Sequence, residues 1–277
     1  MLRNNPNRSN APSNALTQDD ARFRIVAWNI RAGGGKRIES IAEHLRRWNA
    51  DVIVLSEYRG TPASRWLSEH LFQHDYPHQI TTTNHRQPAK NALLLASRVP
   101  CRRRHFHTRP DDRERWMCVT IDSPTSPLTI GAMHVPNMVT GRKYDFLAAV
   151  AKLAARWRHG PAIFVGDTNS GKPDIDEENP AFTPREADWI DELERRGWRD
   201  TFRHLNPNTR EYTWYSPNGD NGFRIDQAFA NRAAIDRLVD TSHVWAGPSR
   251  RAGVSDHAAL IVEFRPASHN HHAQSPH

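Results

Sequence analysis

Ala162-Ile163-Phe164-Val165-Gly166-Asp167-Thr168-Asn169 is an apolar run that ends abruptly in a glycine and three polar residues. An apolar run this short, closed by a turn-forming glycine, reads as a buried strand rather than a helix. Its end then delivers Asp167 and Asn169 to the rim of a sheet, where loops on a rigid scaffold carry chemistry. Residues two apart on an extended strand project to one side, so both can face one ligand. The plainer alternative is an Asx turn that closes the strand, with Gly166 as punctuation.

Outward from this stretch the same form recurs. Apolar runs lie at 23–28, 52–55, 92–96, 117–121, 128–133, 225–229 and 258–264. Polar residues stand at or beside their ends: Asn29 after the first, Ser56-Glu57 after the second, His134-Val135-Pro136-Asn137 after the fifth. Arg224-Ile225-Asp226 opens the sixth, and Ser255-Asp256-His257 precedes the last. Two helical patterns interrupt the strands. Ile38, Ile41, Leu45 and Trp48 share one face; Phe146, Leu147, Val150, Leu153, Ala154 and Trp157 share another, with Gly160-Pro161 as a stop. Helices, strands and neighbouring strand pairs alternate without a pure βαβ rhythm or repeat, which predicts sheets packed on each other with helices outside.

One domain over 22–266 is expected, flanked by polar tails at 1–21 and 267–277 whose composition reads as disordered. The tail histidines His269, His271 and His272 have no scaffold to fix a metal geometry. Within the 277 residues, nine Trp and ten Phe supply a bulky core despite a hydrophobic fraction of only 37%. A net charge of +7 biases the protein toward polyanions through counterion release, without identifying one. No apolar run approaches the ~18 residues of a membrane span, and residues 1–21 lack a secretory apolar stretch. A cytoplasmic protein with no membrane partner, and a monomer, is the expectation. Cys101 and Cys118, the two cysteines, form no CxxC motif and fit a reducing compartment.

Taken in order, these motifs resemble the endonuclease/exonuclease/phosphatase superfamily, whose members include exonuclease III, abasic-site endonucleases, deoxyribonuclease I, inositol polyphosphate phosphatases and neutral sphingomyelinases. The resemblance spans about residues 23 to 264 and rests on several short motifs in one order, each weak alone. It implies a four-layer α/β sandwich, two mixed β-sheets packed face to face with helices outside. It also implies a metal-dependent phosphoric ester hydrolase of the endonuclease or exonuclease type.

By that resemblance Glu57 is the principal metal carboxylate, with Asn29 beside it and Asp256 across the site. All three are oxygen ligands, which suits Mg²⁺, with Mn²⁺ as a substitute. Asp167 orients and deprotonates the attacking water, and Asn169 holds a phosphate oxygen. His257 contacts the scissile phosphate and Asp226 hydrogen-bonds it, an arrangement that favours imidazolium. A general-base role for His257 stays open. His134 supports the leaving oxygen or a phosphate oxygen; it stands where the exonuclease III branch carries Tyr and deoxyribonuclease I carries His. Asn137 belongs to the Pro-Asn that this branch shares.

Two departures matter. Ile30-Arg31-Ala32-Gly33-Gly34-Gly35 replaces the segment in which abasic endonucleases carry an acidic or amide auxiliary ligand, so Arg31 offers a phosphate clamp instead. Arg59 falls where the exonuclease III branch often has Lys. Arg102-Arg103-Arg104 and Arg250-Arg251 are further candidates for gripping a backbone, though solvated arginines are ordinary. The expected reaction is Mg²⁺-dependent hydrolysis of a nucleic acid, DNA first, by in-line attack of water. The alternative is a phosphatase or phosphodiesterase acting on inositol phosphates or phospholipid head groups.

Overall fold

The computed structural model describes residues 22–122, 127–247 and 253–266. Both tails, and with them His269, His271 and His272, and also Arg250 and Arg251, lie outside the described residues.

Two six-stranded mixed sheets face each other. The first is built around β1 (Phe23–Asn29) and β2 (Val52–Tyr58), parallel neighbours joined through α1 (Ile38–Trp48). β14 (Ala259–Phe264) and β13 (Leu238–Val244) extend it on one side; β4 (Ala92–Ser97) and β3 (His78–Thr81) extend it on the other. The second is built around β7 (Leu128–His134) and β8 (Ala162–Asp167), again parallel and joined through α3 (Lys143–Ala155). β6 (Trp116–Ile121) and β5 (Cys101–Arg104) flank β7, while β12 (Asp226–Asn231) and β9 (Trp198–Asp200) flank β8. Parallel pairs need a crossover helix, so each sheet centre is a βαβ unit, which the strand-heavy sequence pattern obscures.

Alternation along the strands divides the core into layers. Ile25 and Ala27 join Ile130, Ala132, Ile163 and Val165 between the sheets. Val26 and Trp28 point the other way, onto α1 and α2 (Pro62–Gln73). Phe164, Met133 and Phe229 of the second sheet pack outward against α3 and α4 (Pro184–Arg195). The result is the four-layer α/β sandwich expected from the motifs.

Two outer helices, α2 and α4, are absent from the sequence reading. The buried face of α2 is only Ser64, Leu67 and Leu71, too thin a stripe to stand out. Helix α4 carried a readable start signal: Thr183 and Glu186 form a capping box around Pro184, ahead of Trp189, Ile190 and Leu193. Among the described residues no helix is long and apolar enough to cross a membrane.

Candidate active site

The strand directions bring the polar run-ends together. β1, β2, β7 and β8 finish at the rim where β12 and β14 begin, and register sets His134, Asp167 and Asp226 side by side across the second sheet. On the first sheet Asn29 lies opposite Ser56, next to Glu57. At this rim the sheets are bonded to each other: Asn29 Nδ2 donates to Asp167 Oδ2 at 3.0 Å.

Asp167 is the hub. Its Oδ1 accepts the Asn169 backbone N–H at 2.9 Å. Its Oδ2 lies 3.7 Å from His134 Nε2 and 4.0 Å from His257 Nε2. His257 Nδ1 makes a 2.9 Å bond to Asp226 Oδ2. All four side chains are buried. Asn169 departs from the extended geometry expected of it: its φ is +45°, and the strand stops at Asp167. The segment is therefore the Asx turn, and Asn169 reaches back so that Nδ2 donates to Val135 O at 2.8 Å.

The two histidines differ in charge. Burial works against a cation at His257, but Asp226, Asp167 and Asp256 outweigh it and raise its pKa well above the usual imidazole range. At His134 burial, Arg115 and the His257 cation all act together to lower the pKa, leaving a neutral ring. Among the described residues its buried Nδ1 has no hydrogen-bond partner. Burial raises the pKa of Asp167 as well; Asp226 adds to the rise, and His257 opposes it.

Glu57 is placed by the backbone. It sits at a register break between Ser56 and Tyr58 with φ +56°, a bulge in a left-handed conformation that turns its side chain toward the Arg31–Gly35 segment. There Ala32 N donates to Glu57 Oε2 at 2.7 Å, and Arg31 N donates to Asn29 Oδ1 at 2.9 Å. Residues 31 to 35 all have positive φ, so this segment is a left-handed turn, for which its three glycines are suited. Arg31 Nε lies 3.7 Å from Asp256 Oδ2, so the residue offered as a phosphate clamp is engaged with a carboxylate. Arg59 Nε donates to Asn91 Oδ1 at 2.7 Å. Asn137 is exposed and precedes a 3-10 turn at Met138–Thr140, outside the hydrogen-bonded group.

Two donor sets could hold a cation. Asp167, Asp226 and His257 present atoms within 4.8 Å of one another. Two members of this set are already bonded to each other, His257 Nδ1 to Asp226 Oδ2 at 2.9 Å. The oxygen-only set of Asn29, Glu57 and Asp256 fits a hard divalent ion better, and Asp256 Oδ1 is a buried acceptor with no hydrogen bond.

Several supporting contacts appear only in the fold. Thr213 Oγ1 accepts the N–H groups of Ile225 and Asp226 at 3.0 and 3.1 Å, fixing the start of β12. Arg224 anchors the same turn from below, bonded to Asp176 at 2.8 Å and Asp200 at 2.6 Å. Trp28 Nε1 donates to His257 O at 3.0 Å, and Ser255 Oγ to Asn29 O at 2.6 Å. The Trp214 ring lies 6.2 Å from that of His257. These partners are remote in sequence, so only the fold reveals the contacts.

Residues 26–257 match the Endonuclease/Exonuclease/phosphatase family. Exodeoxyribonuclease III of Haemophilus influenzae is 30% identical over 280 aligned residues, covering 88% of this chain and all of that protein (100%). A DNA-(apurinic or apyrimidinic site) endonuclease of Dictyostelium discoideum is 23% identical, covering 88% of this chain and 71% of its own length. In three dimensions, an AP endonuclease from Archaeoglobus fulgidus superposes with a TM-score of 0.73 at 20% identity, covering 87% of this chain and 99% of the other. The Neisseria 3′ phosphatase NExo, bound to product DNA hairpin, gives the same TM-score at 22% identity and the same coverages, 87% and 99%.

Proposed function

The chain belongs to the endonuclease/exonuclease/phosphatase family and is a hydrolase of nuclease type, and we propose that it cleaves phosphodiester bonds of a nucleic acid, DNA first, with Mg²⁺ as cofactor. The observation that carries this reading is the buried group at the rim. One carboxylate with a raised pKa, Asp167, faces a cationic imidazole, His257, while a neutral imidazole, His134, stands beside it.

Asp167 is suited to orient water and take its proton, since a raised pKa brings a carboxylate toward the working pH of a general base. His257, held by Asp226 through Nδ1, keeps Nε2 for a phosphate oxygen, where a fixed cation stabilises the charge that develops in the transition state. Asn169 spends one amide hydrogen on Val135 and has a second for the phosphate. His134 contributes a neutral ring, able to donate without adding charge. Glu57 and Asp256, with Asn29, would hold Mg²⁺. Bound there, the ion would polarise the phosphate and neutralise the departing oxygen.

The relatives named for action on DNA support the nucleic-acid reading over one on small phosphate esters, and so does the net charge of +7. The test is to incubate the purified protein and Mg²⁺ with supercoiled plasmid, a 3′-recessed duplex, an abasic duplex and an inositol polyphosphate, with EDTA controls. Cleavage of at least one DNA, abolished by EDTA, is expected. Release of phosphate from the inositol substrate alone would sink the proposal.

A further inference from the structure

The loop between β5 and β6 runs along α3, from Thr108, which accepts from Arg156 Nη1 at 3.1 Å past the end of that helix, to Asp112, beside Arg142 ahead of its start. It closes a cleft of about 180 Å³ lined by Arg103, Arg104, His105, Arg109 and Arg113, with an apolar floor that includes Trp116. No carboxylate lines it. The acids of the loop lie elsewhere: Asp111, Asp112 and Glu114 line a neighbouring cleft, where Asp112 pairs with Arg142 at 3.0 Å and Glu114 with Lys90 at 3.2 Å. Arg109 stands between the two clefts. Among the described residues Arg113 has no hydrogen bond or ion pair, and Arg104 has only a ring contact, 5.9 Å from the centroid of Phe106. Arg103 is fixed by a 2.9 Å bond from Nη2 to Thr81 O. Arg102, which precedes it in sequence, points away to Asp122.

Arg109 Nη1 faces His105 Nδ1 at 3.3 Å, and cations that line one cleft with no carboxylate among them are relieved by an anion. The cleft has the volume of about six water molecules, enough for a tetrahedral oxyanion and too little for a whole nucleotide. Arginine forks suit phosphate oxygens. The position is informative too. Two residues after Arg113 the chain reaches Arg115, whose carbonyl accepts the His134 N–H at 2.9 Å. Two residues span at most about 7 Å, so the Arg113 end of the cleft lies within a few nucleotide steps, of about 3.4 Å rise each, of His134.

We propose that this arginine cleft is a second phosphate site, holding a backbone phosphate of the nucleic acid a few steps from the scissile bond. It rests on the nucleic-acid reading above and gives that substrate a second point of attachment, so that register along the strand is set by two phosphates.

The test is fluorescence anisotropy with a labelled duplex in EDTA, comparing the wild type, Arg109→Gln/Arg113→Gln and Arg109→Lys/Arg113→Lys. A control pair, Arg195→Gln/Arg196→Gln, removes the same charge at the end of α4, beside the start of β9 and so at the end of the sheet away from the rim. Circular dichroism and melting check that each variant is folded. The cleft glutamine pair should flatten the slope of log K against log salt by about 1–2, since each lost phosphate contact is worth about 0.9. It should weaken binding at least several-fold, while the lysine pair keeps most of the slope and the control pair keeps wild-type binding. Wild-type slope and affinity in the cleft glutamine pair would overturn the site. Equal losses in the cleft and control pairs would also overturn it, by reducing the effect to long-range field. Absence of salt-dependent DNA binding by the wild type would overturn both the site and the nucleic-acid reading.

Discussion

Asp226 Oδ2 holds His257 through Nδ1 at 2.9 Å, which leaves Nε2 of the same ring 4.0 Å from Asp167 Oδ2. One imidazole thus lies between two carboxylates from adjacent strands, and its charge is set chiefly by the one it bonds. Burial alone would discharge the ring; Asp226 is the main reason that it does not.

Asp226→Asn should therefore lower the pKa of His257, by about one to three pH units. Titration by NMR in EDTA checks this without a metal ion present. The sign for activity follows. A lower pKa removes the imidazolium as pH rises, so with a working imidazolium the variant loses activity first on the alkaline side and keeps most at acid pH. An unchanged His257 titration would dismiss Asp226 as its charge-setting partner.

Most of this arrangement was legible in the sequence because the polar residues sit at the ends of apolar runs, and strand ends meet at a rim. Asn29, His134, Asp167, Asp226 and His257 could be placed at the rim for that reason, while their roles came from the family resemblance. Asn169 could be named, but its geometry could not: alternation assumes extended backbone, and at φ +45° the chain has already turned. Glu57 was named without the bulge that aims it. Arg31 and Arg59 illustrate the limit. Their contacts with Asp256 and Asn91 are remote in sequence, so no local pattern announces them.

Glu57→Gln should leave the fold intact, because the amide oxygen can still accept the Ala32 N–H that Glu57 Oε2 receives. It removes a negative ligand from the oxygen set, so most activity should disappear at limiting Mg²⁺. Recovery at high Mg²⁺ would locate the defect in metal affinity. Near wild-type cleavage at limiting Mg²⁺ would remove Glu57 from the proposed metal site.

The acid limb of stability should depend on Glu186, in the first turn of α4. Burial alone would raise its pKa, but hydrogen bonds from Thr183 and the Lys143 ammonium 3.1 Å away hold it down at about 2. A carboxylate with a depressed folded pKa contributes stability that is full above its ordinary value of 4.5 and lost as pH falls from there toward about 2. Glu186→Gln should lower the melting temperature at neutral pH, leaving Lys143 buried without its counter-charge, and should flatten the fall in stability below pH 4.5. Parallel wild-type and variant curves across that range would rule out this linkage.

Asp167→Asn separates proton transfer from architecture. In the wild type both carboxylate oxygens accept: Oδ1 from Asn169 N and Oδ2 from Asn29 Nδ2. An amide has one acceptor, so whichever way it turns, its NH₂ meets another donor. One buried hydrogen bond is lost, at a cost of about 1–3 kcal/mol of stability, measurable by denaturant unfolding. The amide also cannot take a proton, so kcat should fall by about 10²–10⁴-fold, the range for losing a positioned general base, with substrate affinity little changed. Adding Asn29→Asp restores an acceptor opposite the new NH₂. The double variant should therefore regain stability without regaining kcat, which distinguishes a chemical role for Asp167 from a structural one. Calorimetry with an uncleavable substrate supplies the decisive result. If Asp167→Asn chiefly destroys Mg²⁺ binding, Asp167 is a metal ligand and the division of labour proposed here is wrong.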